Sequence, residues 1–155
     1  MPLSGKVAIV TGGSRGIGRA SALELARSGA AVVINYTRNP GAAEETLQEI
    51  IRNGGRATVC QADITDYSAC ERLARCALDN FQRIDILINN AGINRDNLLV
   101  RMKPEEWQEV VDTNLTGIYN CTKSVLRPML KQKSGGRIIN IASVAGIYGN
   151  TGQCN

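Results

Sequence analysis

Four short runs in this chain are apolar almost throughout. Lys6–Thr11 (KVAIVT), Ala31–Tyr36 (AVVINY), Ile84–Asn89 (IDILIN) and Arg137–Ala142 (RIINIA) lack the apolar–polar alternation of a half-exposed strand. A strand of that kind has no face to turn to water, so it belongs in a parallel sheet covered by helices on both sides. Arg56–Gln61 reads as one more strand. The segments between them have helical period: Gly16–Ser28, Ala42–Asn53 ending at Gly54-Gly55, and Tyr67–Phe81. Pro104 opens a further helical region, with Glu105 and Glu106 suited to the positive end of its dipole. A separate, longer helix is expected from about Asp112 to Lys131. Strands alternating with helices predict one doubly wound parallel α/β domain over residues 1–155, with no linker or repeat.

The first strand-to-helix turn carries the strongest chemical signal. It reads Thr11-Gly12-Gly13-Ser14-Arg15-Gly16-Ile17-Gly18. Glycines let such a backbone turn tightly and approach a pyrophosphate, whose charge then sits at the positive end of the next helix. A glycine cluster can also be a purely structural turn; its place after the first strand and before an amphipathic helix favours the dinucleotide reading. The end of the second strand bears on cofactor choice. A site that prefers NAD places an acid there for the ribose 2′-hydroxyl. This chain has Asn35-Tyr36-Thr37-Arg38 instead. Arg15 and Arg38 are candidates to meet a 2′-phosphate through charge-assisted hydrogen bonds, the alternative being two solvated surface arginines. NADP is therefore the expected cofactor.

Composition narrows the chemistry. Histidine is absent, and the five cysteines form no C-x-x-C pair. That argues against a zinc site and removes any Ser-His or Cys-His nucleophile pair. Acid–base work near neutral pH then falls to a carboxylate, lysine, cysteine or tyrosine. The simplest reading of the cysteines is five reduced thiols in a cytoplasmic protein. A net charge of +4 with scattered basic residues, and only six aromatic residues, give no nucleic-acid platform. No apolar run approaches the roughly 18 residues of a membrane span, and the first residues lack the layout of a signal peptide.

Over all 155 residues the sequence resembles the short-chain dehydrogenase/reductase family. The T-G-x-x-x-G-x-G spacing of Gly12, Gly16 and Gly18 has that family's form. Asn89-Asn90-Ala91-Gly92 matches its N-N-A-G signature, Asn114 its helix asparagine, and Ser143 in Ile141-Ala142-Ser143 its catalytic serine. Asp63-Ile64 resembles the pair that holds the adenine end. Within the family, Gly92–Leu99 with Arg101-Met102-Lys103, and Gly149–Asn155, look most like the 3-oxoacyl-[acyl-carrier-protein] reductases. The resemblance implies a Rossmann-like fold and hydride transfer from NADPH to the 3-keto carbon of a carrier-linked acyl chain. It implies that Ser143 polarises the carbonyl and that Asn114 anchors a water of a proton relay. It also implies a homotetramer, built partly on the Asn114 helix. Another ketone substrate, or a non-catalytic cofactor-binding protein, remains an alternative.

In such enzymes a tyrosine gives the proton, and a lysine one turn later lowers its pKa from about 10. The resemblance places both directly after the Gly149–Asn155 run, so the chain is expected to lack them, together with the family's C-terminal strands and helices, and to be inactive alone. Tyr119 and Lys123 also read Y-x-x-x-K, but they precede Ser143 and are expected to be an ordinary surface or packing pair. Tyr148 has Gly152 where the lysine would be. Lys131, Lys133 and Arg137 form a basic cluster, either a solvated helix end or a contact for the acidic carrier. With no strand beyond it, Arg137–Ala142 is expected to form an apolar edge, which favours aggregation or partial order.

Overall fold

A computed structural model describes all residues, Met1–Asn155. Five parallel strands form one sheet in the order β3-β2-β1-β4-β5. They are β1 (Val7–Val10), β2 (Ala31–Tyr36), β3 (Arg56–Gln61), β4 (Ile86–Asn89) and β5 (Arg137–Asn140). Helices α1 (Gly16–Arg27), α2 (Pro40–Arg52) and α3 (Tyr67–Phe81) make the crossovers among the first four strands. Between β4 and β5 run α4 (Pro104–Val111), a π-helical turn (Asp112–Thr116) and α5 (Gly117–Lys131); a short α6 (Ala145–Tyr148) follows β5.

The apolar runs divide residue by residue between two cores. Val7 and Ile9 of β1, Val33 of β2 and Leu87 of β4 face α3 and α5, against Leu73, Ala77, Val125 and Met129. Their neighbours Ala8, Val10, Val32, Ile34, Ile86 and Ile88 face α1 and α2, against Ala22, Ala26, Ala43 and Ile50. This is the doubly wound arrangement that strands apolar on both sides require. β5 is the exception. Its Ile138 packs against the α3–α5 core, while Ile139 and Ile141 stay exposed at the sheet edge.

One expectation is corrected. The two helices anticipated at Pro104 and at Asp112 are a single unbroken rod, because Asp112 keeps helical dihedrals and passes the helix on. Within the rod, Gly117 N–H bonds the Asp112 carbonyl five residues back, so one extra residue is accommodated as a π turn. Close packing accompanies that turn. A Cβ on Gly117 would lie 2.6 Å from Ile64 Cδ1, and Asn120 Nδ2 donates to the Ile64 carbonyl at 3.0 Å. The ladder of β4 begins two residues later than its apolar run, and β5 ends at Asn140, although Ile141 N–H still reaches the Asn89 carbonyl at 2.9 Å.

The amino edge of the sheet is held by Asp85. Its side chain is almost wholly buried and accepts from Arg83 at 2.6 and 2.7 Å and from Val7 N–H at 2.9 Å; Lys6 Nζ lies at 3.4 Å. Its backbone carbonyl takes Arg137 N–H of β5. Burial alone would raise its pKa, but these hydrogen bonds and charges outweigh burial and hold the carboxyl below its ordinary value. Such a group stabilises the fold above the unfolded carboxylate range near about 4, and that contribution is lost as pH falls through the lower folded value. Asp85→Asn is expected to cost about 2 kcal/mol at neutral pH. The stability difference between wild type and variant, followed by denaturant titration, should shrink as pH drops below about 4.

Candidate nucleotide-binding site

Because every strand is parallel, the five carboxyl ends share one edge, and nearly all the sequence-derived candidates gather there. The strand order reverses between β1 and β4, the position where doubly wound sheets open a crevice. The glycine loop leaves β1 on one side of that point, and Asn90-Ala91-Gly92 leaves β4 on the other.

Thr11 ties the two together. Its buried hydroxyl accepts from the backbone N–H groups of Asn90 at 2.9 Å and Ala91 at 3.0 Å. Asn90 Nδ2 answers by donating to the carbonyls of Thr11 at 2.9 Å and Gly12 at 3.3 Å. Gly12 takes φ +62° and lies against Ala91, so a side chain there would be both strained and crowded. At Gly18 the first turn of α1 lies directly on the Gly12 carbonyl and the Asn90 amide, leaving no room for a Cβ.

The start of α1 is open to an anion. No side chain caps it and no acid sits in its first turn, so the Gly16, Ile17 and Gly18 amides face outward with the positive end of the helix dipole. Of the nearby cations, Arg19 is engaged by Glu49 of α2, whereas Arg15 and Arg38 are exposed and form no ion pair. Ser14 is half-buried beside Arg15 in the loop; Tyr36 is half-buried at the end of β2.

Asn35, taken as the residue standing where an acid would be, is buried, and its side chain points into the fold. The exposed end of β2 is Thr37-Arg38. After β3, the Asp63 carboxylate turns onto Thr65, accepting from its N–H at 3.0 Å and its hydroxyl at 2.8 Å. The Ile64 side chain is in the core, so only its backbone lies along the edge.

Asn114 sits in the π turn and grips Ile93 with both ends of its amide, accepting from Ile93 N–H at 2.9 Å and donating to its carbonyl at 2.8 Å. Ser143 follows β5, exposed, its Oγ accepting from Ala145 N–H at 3.2 Å. No hydrogen bond joins it to Asn114. The loop after β4 and the segment after β5 do meet: Asn97 N–H bonds the Gly152 carbonyl at 2.8 Å, Gln153 donates to Asp96, and Asn155 to the Arg95 carbonyl. Tyr119 and Lys123 lie elsewhere. They are bonded to each other at 3.0 Å on the exposed side of α5, with Lys123 over the Tyr67 ring. A groove of about 590 Å³ lined by Gln82, Arg127 and Lys131 lies between the ends of α3 and α5, which lead into the opposite edge of the sheet.

The family model for short chain dehydrogenase matches residues 6–155. A 3-oxoacyl-[acyl-carrier-protein] reductase of Synechocystis sp. is 56% identical over 153 residues, spanning 99% of this chain and 62% of that protein. A reductase of the same name from Staphylococcus aureus is 46% identical over 150 residues, spanning 97% of this chain and 61% of that one. The crystal structure of a short chain dehydrogenase from Mycobacterium avium superposes with a TM-score of 0.92 at 34% identity, over 99% of this chain and 59% of its own. The chain thus spans 59–62% of the length of these relatives.

The packing at Gly18 is open to a direct check. Alanine in a helix is ordinarily about 1 kcal/mol better than glycine. Gly18→Ala should instead destabilise the chain by about 2 kcal/mol through overpacking. Gly41→Ala in α2, where a Cβ would meet only Asn39 Oδ1 at 3.5 Å, should be neutral or stabilising. Denaturant unfolding of both variants measures the contrast.

Proposed function

The chain belongs to the short chain dehydrogenase family, and on that premise we propose that it forms the cofactor-binding part of an NADPH-dependent 3-oxoacyl-[acyl-carrier-protein] reductase. The observation that carries the cofactor reading is the uncapped start of α1 flanked by two unpaired arginines, with no acid at the exposed end of β2. Gly12 and Gly18 let the loop pack closely on Asn90 and Ala91, the Cβ position of Gly16 faces open space, and the Gly16–Gly18 amides meet the charge of a pyrophosphate. Arg15 and Arg38 take the 2′-phosphate, which the ribose of NADH lacks. Tyr36 and the Asp63-Ile64 backbone border the adenine end, and Asn90-Ala91-Gly92 the ribose beyond the pyrophosphate. When bound, NADPH supplies the hydride that the 3-keto carbon receives.

The substrate assignment rests on the relatives' names and on the two segments that meet over the site, Asp96–Asn97 and Gly152–Asn155. Ser143 Oγ already accepts from Ala145 N–H, which leaves its own proton free to donate to the substrate carbonyl. Asn114 fixes Ile93, and with it the floor beneath the carbonyl. We assign proton donation to a tyrosine of the whole protein outside these 155 residues, its pKa lowered by a lysine one turn later. Tyr119 and Lys123 are bonded to each other on the exposed side of α5, beside the Tyr67 ring, and precede Ser143 in the chain. The acyl-carrier protein is the proposed partner, and a cytoplasmic setting goes with that chemistry; no helix is long and apolar enough to cross a membrane. Assembly into a homotetramer is supported by Trp107, Leu115, Tyr119, Leu126 and Leu130, large side chains exposed along the 104–131 rod.

Binding of NADPH should be tighter than that of NADH by about tenfold or more, the worth of charged hydrogen bonds to one phosphate. Fluorescence titration of the chain with each nucleotide measures the ratio. Arg38→Asp should narrow or reverse it. Equal affinities in the wild-type chain would overturn the cofactor assignment.

A further inference from the structure

We propose that Asn35 is a positioning residue for nucleotide binding: its buried side chain holds the glycine loop in its binding shape and couples that loop to the end of β3. The inference rests on the dinucleotide reading of the site and adds to it a residue that makes no contact with the nucleotide.

The loop has few means of holding itself. Gly12 and Gly13 carry no side chains, and Ser14 makes no side-chain hydrogen bond within the fold. β1 leaves its ladder with β2 after the Val10–Ile34 pair, so the next amides of the loop must find acceptors elsewhere. Both find Asn35. Gly12 N–H donates to its Oδ1 at 3.2 Å, and Gly13 N–H to its backbone carbonyl at 2.9 Å. On its other side, Asn35 Nδ2 donates to the Ala62 carbonyl at 2.9 Å and the Cys60 carbonyl at 3.3 Å. Asn35 is 1% exposed, so water does not substitute at its own side chain. Only one orientation of the amide fits, because a donor faces it from the loop and acceptors face it from β3. Asn90 grips the same loop by its carbonyls from β4. The two asparagines hold opposite sides of a segment that otherwise consists of flexible glycine.

A carboxylate of the same shape separates positioning from bulk. Asn35→Asp keeps the acceptor for Gly12 N–H but turns an oxygen, charged when ionised, toward the Ala62 and Cys60 carbonyls. Protonation restores one donor, and burial favours the protonated form. The side chains around it that titrate are Cys60 on β3, held protonated by Cys76 and burial, and Tyr36 next to it on β2; Arg15 is the charged group of the loop. The test measures NADP+ affinity of wild type and Asn35→Asp by calorimetry between pH 8 and pH 5. The variant should bind about tenfold more weakly at pH 8, with the ratio to wild type closing as pH falls. A ratio that stays constant with pH, or no weakening at all, overturns the proposal. Failure of the wild-type chain itself to bind NADP+ would overturn the dinucleotide reading instead. Amide hydrogen exchange of the unliganded wild type gives a second readout without a variant. Gly12 N–H should be protected, and exchange at the rate of a free amide would contradict its bond to Asn35.

Discussion

Where β1 and β4 leave the sheet, one hydroxyl joins them, and the geometry of the carboxyl edge depends on it. Thr11 Oγ1 receives two consecutive amides of the Asn90-Ala91 loop. That contact brings Asn90 over the glycine loop, where its amide both holds and crowds the backbone that Gly12 and Gly18 must fit. A parallel sheet collects at one edge all the backbone groups that its ladder no longer pairs. Here several are met by short polar side chains, the buried Thr11 and Asn35 and the half-buried Asn90, each reaching into a neighbouring segment. The start of α1 is left without a side-chain cap, and that is where an anion fits.

The opposite edge is built for strength. Asp85 gathers Arg83, Lys6 and the start of β1, and its carbonyl receives β5. Four interacting groups there fix three strands. The sheet is thus locked at the amino edge and carries its exposed arginines and serine at the carboxyl edge. The alternating division of β1, β2 and β4 between two helical layers keeps the edges in register with each other.

Much of this was legible in the sequence because the constraints are local. Aliphatic runs covered on both faces can only be parallel strands, and the spacing of Gly12, Gly16 and Gly18 answers to a turn, a helix start and a close crossing. The paired loops after β4 and β5 were visible only as motifs; that Asn97 and Gly152 bond to each other is a tertiary fact. That the Asn35 side chain turns into the fold, onto Gly12, Cys60 and Ala62, is likewise a tertiary fact. A polar residue in an otherwise buried run was the available signal. The π turn at Asp112–Thr116 left no mark either; the packing that accompanies it, of Gly117 and Asn120 against Ile64 and Thr65, joins segments far apart in sequence. The exposure of Ile139 in β5 and of Ile141 just after it follows from sheet order, which no single segment encodes.

The central claim is that four strand ends form one preassembled nucleotide site. Mapping amide chemical-shift changes on titration with NADP+ tests it most directly. The account predicts shifts confined to Gly12–Gly18, Tyr36–Arg38, Asp63-Ile64 and Asn90–Gly92, with the Asp85 edge and the groove beside Arg127 unmoved. Shifts centred on that groove, or spread evenly over the chain, would contradict it.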